Sequence, residues 1–180
     1  MSFLPDDYKV PSIGTKYLKL ETGKNTLRVL SSPVIGWEYW TEEGDKKAPI
    51  RVKKLKDVPS ERIHSNDPNE RPKHFWAMFV WGREAETIQI LEVTQATIQA
   101  GIKALVDEKD WGNPKDYDIS INRAGEGMDT KYTVTPKPKK VLEKEIKDIW
   151  KECKEIYNLE KLYTGENPFG DDEIKTSFDD

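Results

Sequence analysis

Ten residues, KHFWAMFVWG at 73–82, restrict this chain more than any others. In an extended strand successive side chains point to opposite faces. Phe75, Ala77, Phe79 and Trp81 then share one side, and Trp76, Met78 and Val80 share the other. Both sides are apolar. One face packs on a core, and the other is either covered by another part of the chain or used to hold a ligand.

The surrounding sequence reads mostly as β structure. NTLRVLSS (25–32) and VIGWEYWT (34–41) are strands, and EEGD (42–45) is a turn. APIRVKKLK (48–56) alternates apolar and basic residues until Lys54, so it is an exposed strand or a mobile basic loop. KHFWAMFVWG and TIQILEVT (87–94) form a hairpin across REAE. At 95–108 the period changes: Ile98, Ile102 and Leu105 recur at helical spacing. YDISINR (117–123) and TKYTVTP (130–136) are the last two strands, followed by a helix over 141–158 with Leu142, Ile146, Ile149, Trp150, Cys153, Ile156 and Tyr157 on its apolar stripe. Five to seven strands with one helix before the last hairpin suit a small Greek-key barrel of the oligonucleotide/oligosaccharide-binding (OB) type with a C-terminal helix. The expected organisation is an arm at 1–15, a domain at 16–160 and a disordered acidic tail at 161–180.

Composition removes several classes. The single Cys153 excludes an internal disulfide and a multi-cysteine zinc site, and His64 and His74 lack metal-ligand spacing, so no metal or cofactor is expected. No apolar run reaches the roughly 20 residues of a membrane span, and the first ten residues lack signal-peptide order. The reading is a cytoplasmic protein with no membrane partner. GEG (125–127) opens no helix and is a turn, not a phosphate loop. With no nucleophile–base pair and no paired carboxylates, the chain does not read as an enzyme.

Charge is unevenly placed. The net charge is −4, yet residues 46–83 hold ten bases against four acids, and residues 166–180 hold six acids against one base. Aromatic faces stack on unpaired bases at roughly 1–3 kcal/mol per base, without regard to sequence. Lysine and arginine neutralise phosphates and release counterions. Single-strand binding therefore needs aromatics interleaved with cations on β structure. The candidate contacts are Trp37, Tyr39, Trp40, Phe75, Trp76 and Trp81 with Arg51, Lys53, Lys54, Lys56, Arg71, Lys73 and Arg83. The alternatives are a strand buried on both faces for the aromatics and a lysine-protected edge strand for 51–56.

The segments KYLKLETGKNTLRVLSSPVIGWEYW, RPKHFWAMFVWGREAETIQILEVTQATIQAGIKAL and WGNPKDYDISINRAGEGMDTKYTVTP, with the acidic end, together resemble the single-stranded DNA-binding proteins of tailed bacteriophages. The resemblance covers about residues 16–136 and the tail in outline. It implies an OB barrel that coats exposed DNA in phage replication, recombination and repair, and a tail that recruits replication proteins. Better-known phage members of this class carry a zinc site; this chain lacks its cysteines, which implies a zinc-free branch.

The tail has two uses of its own. It can compete with DNA for the basic groove. It can also offer Phe178, with Asp171, Asp172, Glu173, Asp179 and Asp180 around it, to a basic partner. The expected partners are single-stranded DNA, replication or recombination proteins, and a further copy of the chain. The competing readings are a non-catalytic interaction barrel serving a polymerase or recombinase, and a metal-dependent nuclease.

Overall fold

The computed structural model describes residues 16–40, 49–59 and 71–170. Among these residues seven strands form one antiparallel sheet: β1 (Gly23–Val29), β2 (Val34–Trp40), β3 (Pro49–Val52), β4 (Lys73–Gly82), β5 (Thr87–Val93), β6 (Asp118–Ala124) and β7 (Lys131–Pro136). Among them two α-helices accompany it, α1 (Ala96–Asp107) and α2 (Lys144–Cys153). The strands lie in the order β3-β2-β4-β1-β6-β7, and β5 pairs with the other edge of β4. Among the described residues the sheet is not closed.

β1 and β2 act as one long bent strand. Leu27–Val29 pair with Gly82–Val80, and Val34–Glu38 continue along the same edge of β4 opposite Ala77–Lys73. Between them the chain bulges. The backbone N–H groups of Leu30 and Ser31 both donate to the Phe79 carbonyl, and the Phe79 N–H donates to Ser31 Oγ at 2.9 Å. The strand read from sequence at 25–32 stops at Val29, where this bulge breaks the ladder.

β4 is buried on both faces. On one, Met78 and Val80 join Leu27, Val29, Leu91, Val93, Ile119 and Ile121 beneath Ile98, Ile102 and Leu105 of α1. A Cβ at Gly101 would come within 2.9 Å of Val134 Cγ2, so the glycine lets α1 settle onto β7. On the other, Phe75, Ala77, Phe79 and Trp81 join Ile88 and Ile90 beneath Ile146, Ile149 and Cys153 of α2.

The chain after α2 completes this second layer. Tyr157, Leu159, Leu162 and Phe169 are all buried against it. The Phe79 ring lies 5.3 Å from Tyr157, 5.5 Å from Trp150 and 5.6 Å from Phe169. Residues 161–170 therefore pack on the sheet, although the acidic sequence around them reads as tail. α2 is also shorter than the expected 141–158: the helix gives way to a turn at 154–156, ahead of the 3-10 turn Leu159–Tyr163. The expected arm at 1–15 and the chain end at 171–180 lie outside the described residues.

Candidate nucleic-acid interface

The aromatic residues of β2 and β4 divide between two faces by strand alternation. Trp37 pairs with His74 and Ile35 with Trp76 across the β2–β4 ladder, which sets all four on the α1 side of the sheet. β3 extends that face, with Val52 opposite Trp37 and Ile50 opposite Tyr39. Trp37 and Trp76 are half-buried, while Ile35 is 49% exposed and Ile50 is 38% exposed. Tyr39 shares this face but is itself buried.

Trp76 also forms part of a cleft of about 460 Å³ between the β1–β2 bulge, α1 and the loop before β6. Ile35, Pro33, Met78 and Val106 make its walls apolar, and Lys103 and Lys115 bring two cations to it. Its volume lies in the range of small-molecule pockets. Lys103 is paired with Asp107 one turn along α1, and Lys115 Nζ approaches Ser32 Oγ at 3.4 Å. Neither lysine stands out in the sequence. Each lies far along the chain from Trp76, and only the fold brings the three together.

The opposite face carries the rest of the aromatic candidates. Trp40 is half-buried, with Lys73 Nζ 5.3 Å from its ring centre. Lys53 Nζ lies 5.3 Å from the centre of the Tyr163 ring and 3.2 Å from Glu160. Phe75 is fully buried there, with the Arg51 guanidinium 5.8 Å above it.

Arg51 is committed inside the protein. Its Nη2 donates to Glu92 at 2.7 Å, and its Nε lies 3.5 Å from buried Glu38. Burial pushes the Glu38 carboxyl up to about 8, helped by its hydrogen bond to Glu92 and the charge on Glu92, and opposed by Arg51 and Lys73. Glu38 therefore holds a proton at neutral pH, which relieves two carboxylates of sharing one arginine.

Of the sequence-derived candidates, Trp37, Trp40 and Trp76 keep part of their rings accessible. Lys53, Lys54, Lys56, Arg71 and Lys73 are exposed. Phe75, Trp81 and Tyr39 have their rings covered and offer no face to a base in this conformation. Arg83 sits past the far end of β4 from Lys73, held by Asp118 at 3.0 Å and Glu143 at 2.9 Å. Asp171, Asp172, Glu173, Phe178, Asp179 and Asp180 lie outside the described residues.

The chain is similar to the probable ssDNA-binding protein of Escherichia phage T5. Identity is 28% over an alignment of 139 residues that covers 66% of this chain. The aligned span covers 54% of the phage T5 protein, so this chain spans about half the length of that relative. No protein-family model matches the chain, and no solved structure matches it.

Among the described residues, no group of three or more His, Cys, Asp or Glu side chains is arranged to hold a metal ion. No helix there is long and apolar enough to cross a membrane. Cys153 is buried under α2, where burial pushes its thiol up and keeps it in the neutral form.

Proposed function

We propose that this protein binds single-stranded DNA without sequence preference, through the face that carries Trp37 and Trp76. The observation that carries this reading is the gathering of two half-accessible tryptophans, Trp37 and Trp76, and the exposed Lys103 and Lys115 on the α1 side of the sheet. The similarity to the probable ssDNA-binding protein of phage T5 supports it independently. In this reading Trp37 and Trp76 stack on bases, and Lys103 and Lys115 beside the Trp76 cleft meet phosphates. Lys54, Lys56 and Arg71 are exposed and can add phosphate contacts, while Trp40, Lys53 and Lys73 lie on the opposite face. Phe75, Trp81, Tyr39, Arg51 and Arg83 hold the scaffold that positions them.

The scaffold itself is read as an OB barrel. The bent strand 23–40 takes the place of the first barrel strand, β4 and β5 the second and third, and β6 and β7 the last two, with α1 between the pairs. An OB barrel is partly open and holds oligonucleotides partly through the loop between its first two strands. In this chain that connection is 41–72, which contains much of the basic segment.

The wider role is coating of exposed DNA during phage replication, recombination and repair, in the host cytoplasm. The acidic end from Asp171 onward competes with DNA and recruits replication partners, with Phe178 as its apolar anchor. The chain requires no zinc for this.

Titration of the purified protein with oligo-dT and with duplex of equal length tests the reading. Tryptophan quenching and a preference for the single strand are expected, with affinity falling as salt rises. Equal affinity for both forms overturns it.

A further inference from the structure

Beyond the aromatic face, a second cavity of about 490 Å³ opens on the other side of the Pro114–Asp116 turn. Lys115 lines both cavities. The second differs from the first in chemistry: Arg28, Lys115, Lys139, Lys140 and Lys147 line it, against one carboxylate, Asp116. These cations come from β1, the turn before β6, the linker after β7 and the first turn of α2, so no run of sequence announces them.

Arg28 makes this a built feature. Its side chain is 1% exposed, fixed by Nε donating to Asp118 at 2.7 Å and Nη1 donating to the Lys115 carbonyl at 3.3 Å. Lys140 lies 3.6 Å from Glu143, whose second oxygen is held by Arg83. Among the described residues Lys139 and Lys147 have no ion-pair partner. Several cations gathered around a cavity repel one another unless an anion joins them.

We propose that this pocket binds backbone phosphates of the same single strand whose bases occupy the Trp76 cleft, with Lys115 as the joint between the two. The inference rests on the single-strand reading above and extends its path. The outer face of β4 and β5 is closed to DNA by α2 and Phe169. A strand that enters over Trp37 and Trp76 therefore leaves past Pro114 and Lys115, and the next positive surface it meets is this pocket. An apolar cleft beside a cationic pocket matches the alternation of base and phosphate along a nucleic acid.

The test compares wild type with the triple variant Lys139→Gln, Lys140→Gln, Lys147→Gln, all three at exposed positions. Thermal midpoints confirm that the variant folds. The slope of log affinity against log salt for long oligo-dT is expected to become shallower by about 2, since each single-strand phosphate contact contributes about 0.7. Tryptophan quenching at saturation stays at the wild-type level, because the Trp76 cleft still fills. A folded triple variant with wild-type affinity and slope, alongside a Trp76→Ala variant that binds weakly, overturns the pocket while leaving the single-strand reading intact. If inorganic phosphate raises the thermal midpoint of wild type but not of the variant, and their oligo-dT binding is equal, the pocket serves a free anion and the proposal is wrong. Wild-type protein that shows no preference for oligo-dT over duplex removes the underlying reading itself, a result that needs no variant.

Discussion

The rings of Trp37 and His74 meet across the β2–β4 ladder, with centroids 4.9 Å apart and planes tilted by 47°. His74 supports one side of the indole, so its position is set before any ligand arrives. A side chain held in this way loses little conformational freedom on binding. Trp37→Ala is expected to weaken oligo-dT binding by roughly 1–3 kcal/mol, the usual worth of one stacked base. Fluorescence anisotropy with a labelled oligonucleotide measures it. Phe75→Ala serves as the contrast: it is expected to lower stability by about 3–5 kcal/mol, and to affect DNA binding only through unfolding.

Phe169 meets Phe79 edge-on, 5.6 Å between ring centres. Truncation after Gly170 keeps Leu162 and Phe169 in the layer over Phe79 and is expected to leave the thermal midpoint unchanged. Truncation after Glu160 removes Leu162 and Phe169 from the layer over Phe79, and a large drop in the midpoint is expected. The truncation after Gly170 should also bind oligo-dT more tightly, because the competing acidic residues are gone. Unchanged affinity would show that the chain end does not compete.

Glu38 gives stability a pH dependence of unusual sign for a carboxylate. Its folded pKa is raised from 4.5 to about 8 by burial and by Glu92. Such a group stabilises the fold fully below its unfolded value, and the contribution disappears as pH climbs through the folded value. The urea midpoint is expected to fall between about pH 5 and pH 9. Glu38→Gln keeps a hydrogen-bonding group without the titration, and it should flatten that decline. A midpoint that rises over the same interval contradicts the assignment.

Gly36 is fixed by crowding. A Cβ there would lie 2.3 Å from the Val52 carbonyl oxygen and 3.2 Å from the Tyr163 ring. Tyr163 Oη donates to the neighbouring Ile35 carbonyl at 2.6 Å. Gly36→Ala is expected to cost about 1–3 kcal/mol through forced displacement. Chemical denaturation reads the loss, and a variant as stable as wild type would mean that β3 and Tyr163 yield freely.

Local pattern carried much of the fold. Alternation in 73–82 identified β4 and its two apolar faces, and the helical spacing of Ile98, Ile102 and Leu105 identified α1. The identity of the cover over Phe79 was not legible, because Tyr157 and Phe169 arrive about 80 and 90 positions later. Phe169 was grouped with the tail for a related reason: acidic neighbours in sequence say nothing about a sheet that meets it from elsewhere. Charge counting failed in the same way. Arg51 and Arg83 counted as free cations, yet Glu92, Asp118 and Glu143 claim them across long sequence separations. Strand alternation, a local property, is what sets Trp37 and Trp76 on a shared face, whereas the nearness of Lys103 and Lys115 to Trp76 is a property of the fold.

β4 has consequences for how such a chain can diverge. Each of its inner residues lies one position from a neighbour that packs in the other layer, so an exchange that suits one layer shifts the backbone under both. Sequence drift there is confined from two directions at once. Variation has room instead in the rims of the Trp76 cleft and around Lys115, where a substitution changes how a ligand is gripped without disturbing what the strand holds together.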